Sequence, residues 1–360
     1  MIQFVFFGAY FIMSLPAGKI IAWVGYQRGM VIGLLTSGLG TFLFYPAASF
    51  LSYYLFLGAL FVLASGITIL QVAANPYISV LGNPETASSR LNLAQAFNSL
   101  GTTLAPWIGG GLILSQIAVG TSKLQEASSV KIPYLELTGI LILFALVLAF
   151  IKLPTLADAE EDAAHPGTLL DALKVPHVAL GSLGIFLYVG AEVSIGSYLI
   201  NFMMDPEVAG YTREFAAGFV SYYWGGAMIG RFVGSALLQK IPANRLLAIN
   251  AACAAGLAVF GLCFSGKLVM VAVLSIGFFN SIMFPNIFTL GISQLGHLTS
   301  RGSSLLIMAI VGGAILPAIM GKMADLIGIH HSLFIPALCY LYIIYYGIKG
   351  YRPHGKAAAY

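Results

Sequence analysis

The sequence predicts an all-α membrane protein of about eleven spans, and three observations carry that expectation. The first is composition. Of 360 residues 59% are hydrophobic and 8% charged, with a mean hydropathy of +0.91, whereas a soluble domain carries about 25% charged residues. The second is run length, because a helix needs about 20 mostly apolar residues to cross the hydrocarbon layer. The third is backbone chemistry. In lipid every N–H and C=O must be satisfied internally, so runs of this length span as helices.

In chain order the apolar runs cover about residues 1–24, 30–49, 52–81, 91–118, 133–152, 178–204, 214–238, 245–265, 267–291, 302–328 and 332–350. The 41 glycines suit helices that pack closely in lipid. One long polar segment, 153–176, holds Asp158, Glu160, Glu161, Asp162, His165 and Asp171 and is punctuated by Pro154, Pro166 and Gly167. It reads as a solvated linker with room for one short amphipathic helix. It divides an N-terminal half of five spans, 1–152, from a C-terminal half of six, 177–360. Cys253, Cys263 and Cys339 all fall in apolar runs and read as small buried hydrophobes.

Lys and Arg placement orients the chain. With the loops at 25–29, 82–90, 153–176, 239–245 and 292–301 and the C-terminus inside, twelve basic residues are cytoplasmic: Lys19, Arg28, Arg90, Lys152, Lys174, Arg231, Lys240, Arg245, Arg301, Lys349, Arg352 and Lys356. Five (Lys123, Lys131, Arg213, Lys267 and Lys322) lie outside or near outer ends. That is a positive-inside bias. An odd span count then leaves Met1 outside, so an N-terminal helix is expected to be missing from this chain. The basic residues sit at span ends and form no face for nucleic acid.

The halves echo each other. Arg90, Gly101 and Pro106 match Arg301, Gly312 and Pro317 at an offset of 211 (301 − 90, 312 − 101, 317 − 106), and Pro76 and Gly82 match Pro285 and Gly291 at 209 (285 − 76, 291 − 82). Parallel repeats around a central path are a transporter architecture. The echo does not extend to the amides. Asn92, Gln95 and Asn98 fall opposite Ser303, Leu306 and Ala309.

Those amides are the chemical signal. Gln71 and Asn75 are four residues apart, and Asn92, Gln95 and Asn98 are spaced by three. On helices each set makes a polar stripe, which is costly against lipid and should face the bundle interior or a water-filled path. Neutral donors and acceptors suit a polyhydroxylated solute better than an ion. Gln71 therefore reads as a sugar ligand, with an interhelical hydrogen bond as its alternative, and Gln95 and Asn98 as part of the same polar path. Asn75 shares the ligand reading, with satisfaction of the backbone freed by Pro76 as its rival. Asn92 reads as a structural or gate residue. Glu192 is the acidic residue well inside a span, and an intramembrane carboxyl is a functional candidate for cation coupling or sugar binding. Hydrogen bonding to Tyr188 one turn back is the structural alternative. Asn280, Asn286, Tyr222, Tyr223 and Trp224 fall in spans that should flank the path, where an aromatic face can stack on a sugar ring. Arg90 and Arg301 read as gate or anchor residues at cytoplasmic ends.

The runs Gln71-Val-Ala-Ala-Asn-Pro-Tyr, Leu81-Gly-Asn-Pro-Glu-Thr, Arg90-Leu-Asn-Leu-Ala-Gln-Ala-Phe-Asn-Ser, Phe6-Phe-Gly-Ala-Tyr and Gly25-Tyr-Gln-Arg-Gly resemble the fucose permease family of the major facilitator superfamily. Tyr188-Val-Gly-Ala-Glu-Val-Ser-Ile-Gly-Ser-Tyr resembles its glucose/galactose transporter branch. The resemblance covers about residues 1–350. It implies a twelve-helix bundle of which this chain begins at the second helix, with sugar contact by Gln95 and Asn98. The family's first-helix aspartate has no counterpart here, and its coupling glutamate is replaced by Gln71. The expectation is thus a secondary transporter importing a hexose across a bacterial inner membrane as a monomer, with a proton or sodium ion as co-transported partner. The rival is a truncated, non-transporting membrane protein or sugar sensor. Neither an HExxH, paired-aspartate or Ser/His arrangement nor a Walker motif is present, which argues against an enzyme or an ATP-driven pump.

Overall fold

The computed structural model describes residues 1–113, 127–154 and 167–353. The acidic run at 158–162, with His165, lies outside the described residues. The long helices are α1 (Ile2–Val24), α2 (Tyr26–Ser49), α3 (Tyr53–Val80), α4 (Ala87–Ile113), α5 (Lys131–Phe150), α6 (Pro176–Met204), α7 (Arg213–Leu237) and α8 (Ala243–Cys263). The next two apolar runs are broken. Residues 267–291 form α9 (Lys267–Asn280) and α10 (Met283–Gly291), and the following run forms α11 (Thr299–Met308) and α12 (Gly312–Ile327) around a 3-10 turn. Last comes α13 (Phe334–Tyr345), which tightens into a π turn.

Nine of the described helical segments are long and apolar enough to cross a membrane. α4 (27 residues) and α7 (25 residues) are also long enough to cross, so the described helices agree roughly with the expected count of about eleven. The helices are entered and left with few side-chain caps. Asn83 accepts from the Glu85 amide before α4, and Thr212 Oγ1 accepts from the Phe215 amide at the start of α7. Pro16, Pro46, Pro76 and Pro317 lie inside helices, where each removes one backbone donor.

The described chain forms two compact units. One comprises Met1–Tyr77, Leu104–Asp171 and Leu295–Met308; the other comprises Ile78–Thr103, Ala172–Gln294 and Ala309–Tyr360. In the first, α2 packs on α3 by way of glycine. A Cβ on Gly33 would meet the Leu70 amide nitrogen at 2.7 Å, so only a hydrogen permits that approach. In the second, α7 packs on α9 through Gly226 and Gly230. A Cβ on Gly230 would stand 2.5 Å from the Phe278 carbonyl oxygen and from Ser281 Oγ. Small residues at such spacing let helix backbones approach where lipid offers no hydrophobic drive.

The repeat seen in the sequence keeps its punctuation but not its continuity. The stretch of α4 after Arg90 is one helix, whereas its counterpart after Arg301 changes to 3-10 geometry at Ala309–Val311. The cysteines depart from expectation at one position: Cys339 is buried, but Cys263 is exposed near the end of α8.

Candidate functional site

In the second unit a polar cluster sits inside the apolar bundle. Glu192 on α6 is 8% exposed. Tyr223 of α7 donates to the Glu192 backbone carbonyl at 3.3 Å, and Asn280, the last residue of α9, donates through Nδ2 to the Tyr223 hydroxyl at 3.0 Å. Tyr188 of α6 and Tyr340 of α13 are fully buried beside them. The Tyr188 hydroxyl pairs with the Glu192 carboxyl, as the structural alternative expects, and the Tyr340 hydroxyl pairs with Asn280, so these buried polar groups satisfy one another.

Arg231 stands at the edge of this cluster, inside α7 and six residues before its end, within the span expected at 214–238. Its Nε donates to the Ser281 carbonyl at 3.0 Å, and its Nη1 donates to the Gln95 carbonyl at 3.4 Å and to the Ser99 hydroxyl. The first bond has a local cause. In a continuous helix the Ser281 carbonyl would accept from residue 285, but Pro285 has no N–H. The chain breaks at Ser281–Ile282, Gly230 admits α7 close to the break, and the guanidinium takes the freed carbonyl. One signal was available in the sequence, an arginine between the regularly spaced Gly226, Gly230 and Gly234.

The α4 amides divide. Asn92 is fully buried; its Nδ2 donates to the Ser88 carbonyl at 2.8 Å and to Asn286 Oδ1 at 2.9 Å, joining α4 to α10. Asn98 is exposed and donates to Gln95 Oε1 at 3.4 Å. Steps of three residues fall about 60° short of a full turn each, so Asn98 points about 120° away from Asn92. Nearby, Ser88 and Thr289 hydroxyls lie 2.5 Å apart, Ser89 donates to the Ser235 carbonyl at 2.7 Å, and Ser235 returns a bond to the Ser89 carbonyl at 3.0 Å. Asn286, expected to flank the path, is instead a fully buried partner of Asn92 and of the Ala243 carbonyl at 3.3 Å. Tyr222 is 69% exposed and Tyr223 fully buried, on neighbouring positions of α7.

Arg90 holds the turn between α3 and α4. It donates to the carbonyls of Ile78 (3.2 Å), Ser79 (2.7 Å) and Asn83 (2.8 Å) and to Thr86 Oγ1 (2.5 Å). In the first unit, Gln71 Nε2 donates to the Tyr10 hydroxyl of α1 at 3.1 Å, and Asn75, before Pro76, is buried. Arg301 Nε donates to the Gly167 carbonyl at 3.1 Å, tying the start of α11 to the end of the linker.

Among the described residues, nine helical segments long and apolar enough to cross a membrane, with buried amides and a buried carboxyl between them, define a polytopic membrane protein. The chain belongs to the Major Facilitator Superfamily, whose pattern matches residues 1–318. It is 53% identical over 350 residues to the glucose/galactose transporter of Brucella abortus, covering 97% of this chain and 84% of the relative. It is 35% identical to the L-fucose-proton symporter of Escherichia coli over 362 residues, covering 95% of this chain and 82% of the relative. The crystal structure of the E. coli transporter FucP in the outward conformation matches with a TM-score of 0.89, over 96% of this chain and 88% of that one. Membership of this family makes the chain a multi-pass membrane protein and not an enzyme.

Proposed function

We propose that this chain is a secondary transporter that carries a hexose of the glucose/galactose class into the cell by alternating access, coupled to a cation gradient. The observation that carries the reading is the 53% identity to a glucose/galactose transporter along 97% of the chain. The amides supply chemistry that fits. Gln95 and Asn98 form a linked, accessible pair on α4, and Gln71 and Asn75 a second set on α3. All present neutral donors and acceptors to sugar hydroxyls. In this reading Tyr222 and Asn280 complete the ligand set from the C-terminal half. Arg90, Asn92 and Arg301 act as gate and anchor residues, holding turns and helix pairs without touching sugar.

Glu192 is assigned the coupling role. It is a carboxyl buried within a spanning helix, and such a group is a functional candidate by default. The protein acts as a monomer in the bacterial inner membrane, with its C-terminus cytoplasmic.

The test is uptake of labelled glucose into proteoliposomes holding the purified chain, with and without an inward proton or sodium gradient. Saturable uptake, stimulated by one gradient and supporting exchange of internal for external sugar, is expected. Sugar binding without uptake would make the protein a sensor. Neither binding nor uptake of glucose or galactose would overturn the substrate assignment.

A further inference from the structure

Arg231 carries more chemistry than an anchor needs. A guanidinium inside a membrane helix is costly unless it is paired, and here it is held by neutral oxygens: the Ser281 carbonyl on its own half, and the Gln95 carbonyl and Ser99 hydroxyl on α4. The buried carboxyl of Glu192, paired with the Tyr188 hydroxyl, lies on the neighbouring helix α6, and among the described residues no ion pair joins it to Arg231.

The helix geometry aims these groups at each other. α6 and α7 run in opposite directions and meet where the Tyr223 hydroxyl reaches the Glu192 carbonyl. Arg231 lies eight residues beyond Tyr223, about 12 Å along the axis. Helical side chains lean toward their own N-terminus, so on antiparallel neighbours Glu192 and Arg231 lean toward one another across that interval. The Nε bond to Ser281 pins one edge of the guanidinium to the α9–α10 break, leaving the Nη edge to choose between α4 and Glu192.

We propose that Arg231 is a positioning residue that changes partners during the transport cycle, bonded to Gln95 and Ser99 of α4 in this conformation and to the Glu192 carboxylate when α4 has withdrawn. The exchange links the state of a buried acid to the placement of the helix that bears Gln95 and Asn98. It breaks no covalent bond and needs no group beyond those named. The proposal rests on the alternating-access reading, but not on which sugar is carried.

The two partners make opposite predictions, which allows a test by conformation. Spin labels on exposed positions of α4 and α7, Leu93 and Ile229, in a cysteine-free full chain in nanodiscs report the α4–α7 distance and the populations of near and far states. Ser99→Ala weakens only the α4-bound state and should raise the far-to-near ratio. Glu192→Gln weakens only the withdrawn state and should lower it. Each change should be about 3- to 18-fold, the equivalent of one interhelical bond in a membrane. In an Arg231→Gln background both shifts should vanish.

Shifts in the same direction, or shifts that persist without Arg231, would overturn the proposal. If Arg231→Gln is not monodisperse, the opposed effects of the two other variants on the native arginine decide the matter alone. Uptake measured on the same preparations separates the two readings. Uptake without the opposed shifts defeats the partner exchange, and opposed shifts without uptake defeat only the transporter reading.

Discussion

Replacing Gly230 with alanine tests the contact on which the geometry of the cluster depends. The new methyl would stand 2.5 Å from the Phe278 carbonyl oxygen and from Ser281 Oγ, and 2.8 Å from Ser281 Cβ. Ordinary contact for such atoms is about 3.4 Å, so α7 and the α9–α10 break must part by about 0.9 Å, and overpacking on this scale costs about 1–3 kcal/mol. A displacement of that size along the bond would also carry Arg231 Nε and the Ser281 carbonyl, now 3.0 Å apart, beyond hydrogen-bonding range. That adds about 0.6 kcal/mol by the average for interhelical bonds in membranes. The assay is thermal unfolding of the detergent-purified protein carrying Cys253→Ser and Cys263→Ser, followed by reaction of buried Cys339 with a thiol-reactive fluorophore. Gly218→Ala is the control, on the same helix but with nothing within 4 Å of the added Cβ. Gly230→Ala should lower the midpoint by several degrees, while Gly218→Ala should leave it unchanged or slightly raised. Equal midpoints would refute the close approach of α7 to the break, and with it the physical account of how Arg231 reaches Ser281.

Three further outcomes are expected. In a double-mutant cycle, Asn92→Ala and Asn286→Ala should couple by about 0.6–1.7 kcal/mol in reversible denaturant unfolding, the range for membrane hydrogen bonds; additive effects would remove the Asn92–Asn286 bond as a fastening of α4 to α10. Arg90→Lys should cost about 1–3 kcal/mol, because one ammonium cannot span the three carbonyls and the hydroxyl that the guanidinium joins, two or more of those bonds being lost at about 0.5–1.5 kcal/mol each. Limited proteolysis at the turn around residues 81–86 reads this directly, as faster cleavage than in the native protein. Glu192→Gln should abolish gradient-driven accumulation while retaining sugar exchange. Full accumulation in that variant would take the coupling role away from Glu192.

The amides at 71, 75, 92, 95 and 98 and the carboxyl at 192 could be read from the chain because polar groups are rare in spans and each carries a solvation cost that demands a reason. Arg90 and Arg301 were placed near helix starts by the same argument, and the structure puts both there. The partners of Arg231 were not legible, because they depend on which backbones pack beside α7 and not on its position along the chain. Asn92 shows a related limit. Its spacing put it on one stripe with Gln95 and Asn98, but the angular drift of that spacing turned it toward α10, and only the position of Asn286 made the turn useful.

Sequence alone determined the solvent of this protein and its helical class, because apolar run length and backbone satisfaction in lipid leave one kind of spanning element. It also determined which few side chains had to be explained. Tertiary structure decided their partners. Glycine lets α7 close on a helix break, a proline leaves a carbonyl there without a donor, and an arginine from one helix fills it while reaching a second. None of those relations is a property of any single segment, since each needs two backbones brought within a few ångströms, and that distance is set by packing and not by spacing along the chain.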